Sequence, residues 1–237
     1  MKILGIDGSG LVASVAIVED NNLIGEYTTG YKKTHSQTLL PMLDALGQMI
    51  ELDMSSIDAI AVAAGPGSFT GLRISSATAK GLGMVLDCPI IPVPTVDALA
   101  YNMWGSEALI CPIMDARRGQ VYTGLYRFEG DELISLCPQC AVDFAEIASK
   151  INENNSPVVF LGDGVPVFKD KISELITVDY SFAPAHRNMQ RASSVAVLGA
   201  SLLKKGIVQT AAEHRPEYLR LSQAERERME RDGKHAN

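Results

Sequence analysis

Lys2-Ile3-Leu4-Gly5-Ile6-Asp7-Gly8-Ser9-Gly10, with its echo Leu109-Ile110-Cys111-Pro112-Ile113-Met114-Asp115-Ala116-Arg117-Arg118-Gly119, decides the reading of the fold. Each is an apolar run that stops on an aspartate and enters a glycine-bearing turn, the pattern of a buried strand ending at a loop. The same order of elements follows both. After the first, 13–19 alternate as a strand, Asp20-Asn21-Asn22 turns, and 23–28 form a third strand. A helix then fits 35–51, a strand 58–64, a loop Gly65-Pro66-Gly67, and a helix 68–86, with Pro89 to Val96 as a last strand. After the second, 120–128 alternate, Glu129-Gly130-Asp131-Glu132 turns, and a strand covers 133–137. A helix fits 142–152, a strand 157–161, a loop Gly162-Asp163-Gly164, and a helix 166–176.

Hairpins pair antiparallel strands and helical crossovers bring in parallel ones. The pattern therefore predicts an α/β protein of two tandem lobes, each a mixed sheet flanked by helices, with a cleft between them. Asp7 and Asp115 are equivalent in it. The expected division is 1–104, 105–208 and a charged tail 209–237, in a chain of 237 residues. Residues 177–192 read as irregular. A helix over 193–205, ending at Lys204-Lys205-Gly206, is free to pack on either lobe. Ser222-Gln223-Ala224-Glu225 has the form of a capping box and predicts a short helix in the tail.

Composition narrows the function. No run approaches the roughly 20 apolar residues that span a bilayer, and the amino terminus lacks a signal-peptide pattern, so a cytoplasmic protein is expected. The net charge of −7 argues against a main nucleic-acid binder, which would present a basic face to phosphates. Cys137-Pro138-Gln139-Cys140 is open to reading as a redox pair or as half of a zinc site, and reads first as two reduced thiols near a turn. His35, His186, His214 and His235 have no second histidine at helical spacing, and His35 reads as polar and exposed. No catalytic residue, metal ligand or cofactor is predicted. Asp7, Gly8, Ser9, Gly10 and Asp115 are at most degenerate remnants of phosphate loops. Gly71 is followed by Leu72-Arg73 where a P-loop needs Lys-Ser/Thr.

Two helices are short of charge. Asp44 is the single charged residue from Ser36 to Ile50, and only Arg73 and Lys80 are charged from Ser68 to Leu86. A surface helix of that length normally shows a clear polar face. Each helix is therefore expected to pack inward on its own sheet and outward on another protein. Leu39, Met42, Leu43, Leu46 and Met49 on the first, with Arg73, Ile74, Ala77, Lys80, Gly81 and Met84 on the second, form the candidate interface. Thr34-His35-Ser36-Gln37 is a capping-box candidate, and Pro41 is expected to kink the first helix.

The chain resembles the TsaB (YeaZ) family of tRNA threonylcarbamoyladenosine biosynthesis proteins. The likeness rests on Ile3-Leu4-Gly5-Ile6-Asp7, His35-Ser36-Gln37, the block from Gly65 through Phe69 to Ile74, Met114 to Tyr122, and Pro216-Glu217-Tyr218-Leu219-Arg220. It implies an actin-like ATPase fold without activity of its own. It also implies pairing through the two first-lobe helices with a catalytic TsaD-type subunit, or with a second copy when that partner is absent, and an assembly that a TsaE-type ATPase joins. Transfer RNA would then be met only through the complex. Gly8 departs from the threonine of many relatives. A stand-alone small-molecule kinase or ATPase of the same two-lobed build is the competing reading. A metallopeptidase is a third and lacks its ligands.

Overall fold

The computed structural model describes residues 1–31 and 35–220. Thr34 of the capping-box candidate and the helix expected near Ser222 lie outside the described residues. The first five-stranded sheet runs in the order β3-β2-β1-β4-β5, from β1 (Lys2–Asp7), β2 (Ala13–Glu19), β3 (Asn22–Thr29), β4 (Ala59–Gly65) and β5 (Ile90–Pro94). The second repeats the scheme as β10-β9-β6-β7-β8, from β6 (Leu109–Asp115), β7 (Gln120–Glu129), β8 (Glu132–Asp143), β9 (Val158–Leu161) and β10 (Tyr180–Phe182). β1 pairs antiparallel with β2 and parallel with β4, and β6 pairs antiparallel with β7 and parallel with β9. The internal repeat is therefore a repeat of topology, and the fold is a mixed α/β one with two mixed sheets flanked by helices.

Alternation along β1 and β4 sorts the layers. Leu4, Ile6, Ile60 and Val62 face α1 (His35–Met49) and α2 (Phe69–Leu86). Ile3, Ala59, Ala61 and Ala63 face the other way, onto Val195 and Ala196 of α6 (Ala192–Lys204). So α6 covers the inner face of the first sheet, although it follows the whole second sheet in sequence. α4 (Phe144–Asn154) and α5 (Val165–Leu175) cover the outer face of the second sheet. Its inner face takes Val96, Leu99 and Ala100 of α3 (Thr95–Tyr101). The opposite side of α3 gives Ala98 to the first sheet's core, so this short helix cements the two sheets. Tyr126 of β7 donates to Asp97 of α3 at 2.7 Å in the same layer.

Local chemistry sets the helix ends. Ser68 caps α2 by accepting from the Gly71 amide, and Asp87 ends it in the left-handed conformation. Asp143 caps α4 by accepting from the Ala145 amide. The buried start of α6 is held by Glu26 of β3, which binds the Arg191 guanidinium together with the amide and hydroxyl of Ser193.

Three expectations are corrected. The strand expected through Val96 ends at Pro94, and α3 follows; its side chains are buried on nearly every side, so it lacks the polar stripe that reveals a helix. β8 continues past 137 to Asp143, because Pro138 sits at a register shift on an edge strand, where proline is tolerated. Within the segment expected to be irregular, Tyr180–Phe182 adds a short edge strand beside β9.

Candidate functional site

Between the sheets' carboxyl ends lies a cleft of about 290 Å³, bordered by the turns after β1 and β6. Asp7 is buried behind the first of these turns, and its Oδ1 accepts from the Ser9 amide at 2.8 Å and the Ser9 hydroxyl at 2.6 Å. Burial pushes the Asp7 carboxyl up to about 6, with the two Ser9 bonds opposing. The Ser9 carbonyl in turn accepts from the Ser68 amide at 2.7 Å. His35 is half-buried, and its Nε2 lies 3.0 Å from the Gly10 carbonyl. Gly71 is so close to Gly8 that a Cβ would run into the Gly8 carbonyl oxygen. The Asp7-Gly8-Ser9-Gly10 turn, the loop before α2 and the start of α1 are thus bolted together. The Ser9 and Ser68 amides of these two turns are bonded within the protein. His35 is a structural pin here, which corrects its reading as an exposed polar side chain.

Asp115 faces the same cleft from the second lobe and accepts from the Arg117 amide at 2.7 Å and its guanidinium at 3.1 Å. Beside it stands Asp163, from the loop before α5, with Oδ1 buried and unpartnered. Burial pushes Asp163 up to about 6; the Asp115 amide opposes that and the Asp115 charge adds to it. The sequence marked the Gly162-Asp163-Gly164 loop only as a turn. Asp163 carries no local signal of its juxtaposition with Asp115. Among the described residues, no group of three or more His, Cys, Asp or Glu side chains is arranged to hold a metal ion.

A strap, whose residues 217–220 line one side of the cleft, follows α6. After α6 the chain returns to the first lobe, where Gln209 exchanges two backbone hydrogen bonds with Ile90, at 2.8 and 2.9 Å. Lys80 of α2 donates to the His214 carbonyl at 3.0 Å, and the Glu217 amide donates to Ala64 at 2.6 Å. Gly65 has φ +121° under that contact, and a Cβ would strike the Glu217 carbonyl oxygen. Tyr218 stacks on Phe69 with centroids 4.7 Å apart, while Arg73 lies 4.0 Å above the Phe69 ring and donates to the Tyr218 hydroxyl at 3.2 Å. Arg220 reaches across to the Ala116 carbonyl of the second lobe.

The structure divides the candidate interface residues. Leu39, Met42, Leu43 and Leu46 are buried in the core beneath α1, which corrects the expectation that they face a partner. Their spacing puts them on the side of α1 that meets the sheet, and α1 runs through Pro41 without a break. Arg73 and Lys80 are engaged by the strap, and Ile74 is half-buried against the core. What remains outward is Met49 (84% exposed), Met84 (74%) and Val85 (82%), with Leu40, Ala77 and Gly81 also exposed. Val85 and Leu40 were absent from the expected set.

The family model described as TsaD: tRNA N6-adenosine threonylcarbamoyltransferase matches residues 22–228. The tRNA threonylcarbamoyladenosine biosynthesis protein TsaB of Bacillus subtilis (strain 168) is 36% identical over 225 residues, 95% of this chain and 96% of that protein. TsaB of Escherichia coli (strain K12) is 34% identical over 130 residues, 54% of this chain and 55% of that protein. Among solved structures, YeaZ from Pseudomonas aeruginosa superposes with a TM-score of 0.79 at 24% identity, covering 92% of this chain and 99% of that one. Sequence likeness along nearly the whole chain and likeness of fold agree, and the chain belongs to the TsaB/YeaZ family of tRNA threonylcarbamoyladenosine biosynthesis proteins, with the actin-like ATPase fold.

Proposed function

We propose that this chain is the non-catalytic, activating subunit of the complex that makes threonylcarbamoyladenosine in tRNA, and that it pairs through α1 and α2 with a TsaD-type catalytic subunit. A TsaE-type ATPase joins that assembly, and a second copy of the chain takes the same face when the catalytic partner is absent. The observation that carries this reading is the exposed apolar trio Met49, Met84 and Val85 on two adjacent helices that are nearly free of charge. Burying such a side chain contributes about 1.5–3 kcal/mol, so the trio supplies roughly 4–9 kcal/mol before the cost of association. That is enough to anchor an interface and too little to complete one. Small outward residues, Ala77 and Gly81, let a partner backbone approach between the anchors.

The cleft supports a subunit without chemistry of its own. A stand-alone kinase or ATPase needs phosphate-facing amides, and those of Ser9 and Ser68 are bonded to Asp7 and Ser9. Among the described residues, no helix is long and apolar enough to cross a membrane.

The test is size-exclusion chromatography with light scattering on this chain mixed with a TsaD-type subunit. Ala77→Glu and Met84→Glu, both at exposed positions, should separate the pair while each chain keeps its melting temperature. Met42 is unsuited to that experiment, because a charge there enters the chain's own core. A mixture that never associates, or tRNA modification by this chain alone, refutes the reading. Calorimetry that finds tight Mg-ATP binding with turnover favours the kinase.

A further inference from the structure

Cys137 and Cys140 sit in the middle of β8, away from any turn. On a regular strand, residues three apart point to opposite faces. Here the hairpin register is irregular: Cys137 faces Leu125 and Cys140 faces Thr123, so three steps on β8 match two on β7. That extra residue is a β-bulge around Pro138, and it cancels the alternation. Both thiols consequently meet the core beneath α4, Cys137 within it and Cys140 half-buried at its margin. Positions two apart on the facing strand are about 6.6–6.8 Å apart. The two cysteine Cα atoms stand opposite points with that separation, at the upper end of the roughly 4.4–6.8 Å that a disulfide spans.

A cation completes the cluster. Lys150 of α4 places Nζ 3.3 Å from the Cys137 sulfur. Glu146, one turn earlier on α4, Cys111 of β6 and Tyr126 of β7 are the other titratable groups around the pair. Cys111 is fully buried with its sulfur 3.4 Å from the Thr123 hydroxyl, and burial pushes its thiol up to about 12. Burial, and then the neighbouring Cys137, hold Cys140 up to about 11, so it remains a thiol at neutral pH.

We propose that Cys137 and Cys140 form a peroxide-reactive dithiol, in which Cys137 beside the Lys150 ammonium is oxidised first and Cys140 resolves it to a disulfide. The Cys137 thiolate attacks the terminal oxygen of a hydroperoxide and breaks the O–O bond. It becomes a sulfenic acid as the leaving alkoxide or hydroxide takes up, through water, the proton that the Cys137 thiol gave up. The Cys140 sulfur then attacks Cys137, a disulfide forms, and the sulfenic oxygen leaves as water with the Cys140 proton. Overall the peroxide gains two electrons and the protein loses two hydrogens. Lys150 is a positioning residue, its ammonium hydrogen-bonded to the sulfur that is oxidised first. The cluster lies beneath α4, on the second sheet's outer face, while the partner helices cover the first sheet's outer face. The inference therefore does not depend on the proposed pairing.

The experiment treats the reduced full-length chain with hydrogen peroxide, alkylates the remaining thiols and weighs the peptides. The peptide holding both cysteines should become resistant to alkylation and lose about 2 Da, while Cys88 and Cys111 stay alkylatable. Cys140→Ser should accumulate a sulfenic acid at Cys137 that a dimedone probe traps. Lys150→Gln should slow Cys137 oxidation about tenfold, and Lys150→Arg should restore most of the rate. A thermal melt of each variant separates these effects from unfolding. First oxidation at Cys88 or Cys140, equal rates in wild type and Lys150→Gln, or sulfinic acid without a disulfide in the wild type overturns the proposal.

Discussion

Acid should loosen the strap at His214. The imidazole is 1% exposed, its Nδ1 lies 2.9 Å from the Gln209 carbonyl oxygen Oε1, and its Nε2 has no partner among the described residues. A proton added at Nε2 would be a buried donor without an acceptor, created near the Lys80 ammonium. Burial first, and Lys80 second, lower His214 from its usual 6.5 to about 4. Between those values the unfolded chain binds more protons than the folded one, so stability rises with pH across the window. The contribution is complete above 6.5 and is lost as pH falls through about 4. At about 1.4 kcal/mol per pH unit the gap is worth roughly 3 kcal/mol, and partial solvent screening around the strap makes about 1–3 kcal/mol the working figure. Asp7 and Asp163, both pushed up to about 6, tilt the raw profile the other way: their share is present at low pH and lost as pH rises through about 6. The clean quantity is therefore the difference between wild type and His214→Gln, which cannot take up a proton. Urea denaturation at about pH 7.5, 6 and 4.5 should show the wild-type advantage shrinking by about 1–3 kcal/mol. Amide protection in 209–214, taken relative to the intrinsic exchange rate at each pH, should fall over the same range. Parallel profiles for the two proteins refute the reasoning.

Other perturbations probe the rest of the fold. Tyr126→Phe removes the 2.7 Å hydrogen bond to Asp97 between α3 and the second sheet, and should cost about 1.5–3 kcal/mol in urea denaturation. Gly71→Ala drives a methyl into the Gly8 carbonyl and should cost about 1–3 kcal/mol or more, read as a fall in melting temperature. Gly81→Ala meets nothing within 4 Å and should stabilise the isolated chain by about 0.5–1 kcal/mol. The same methyl should weaken association with the proposed partner, so stability and pairing should move in opposite directions for this one variant.

The sequence was most informative where chemistry is local. β1, β2 and β6 have the expected bounds because an apolar run meets Asp or Asn at a turn. α3 was hidden because a helix buried on both sides has no stripe, and β8 because Pro138 reads as a stop until the bulge accommodates it. α1 shows the limit of periodicity. Leu39, Leu43 and Leu46 and the outward Leu40 and Met49 are all apolar, so only the packing on the sheet says which set is inward. At the cleft, Asp7 and Asp115 announce themselves at strand ends, whereas His35 on Gly10 and Glu217 on Ala64 are contacts between distant segments without any local mark. Pro216-Glu217-Tyr218-Leu219-Arg220 was visible through resemblance alone; its physical role emerges from the backbone it grips.

The placement of α6 has a consequence for birth on the ribosome. Ile3, Ala59, Ala61 and Val93 wait for Val195 and Ala196 to cover them, so the first sheet to be made is the last to be finished. At roughly 5–20 residues per second, about 100 residues must emerge after β5 before that cover arrives, an interval of roughly 5–20 s. A fragment ending near residue 104 would carry a bare apolar sheet face and should aggregate, whereas the full-length polypeptide supplies its own late lid.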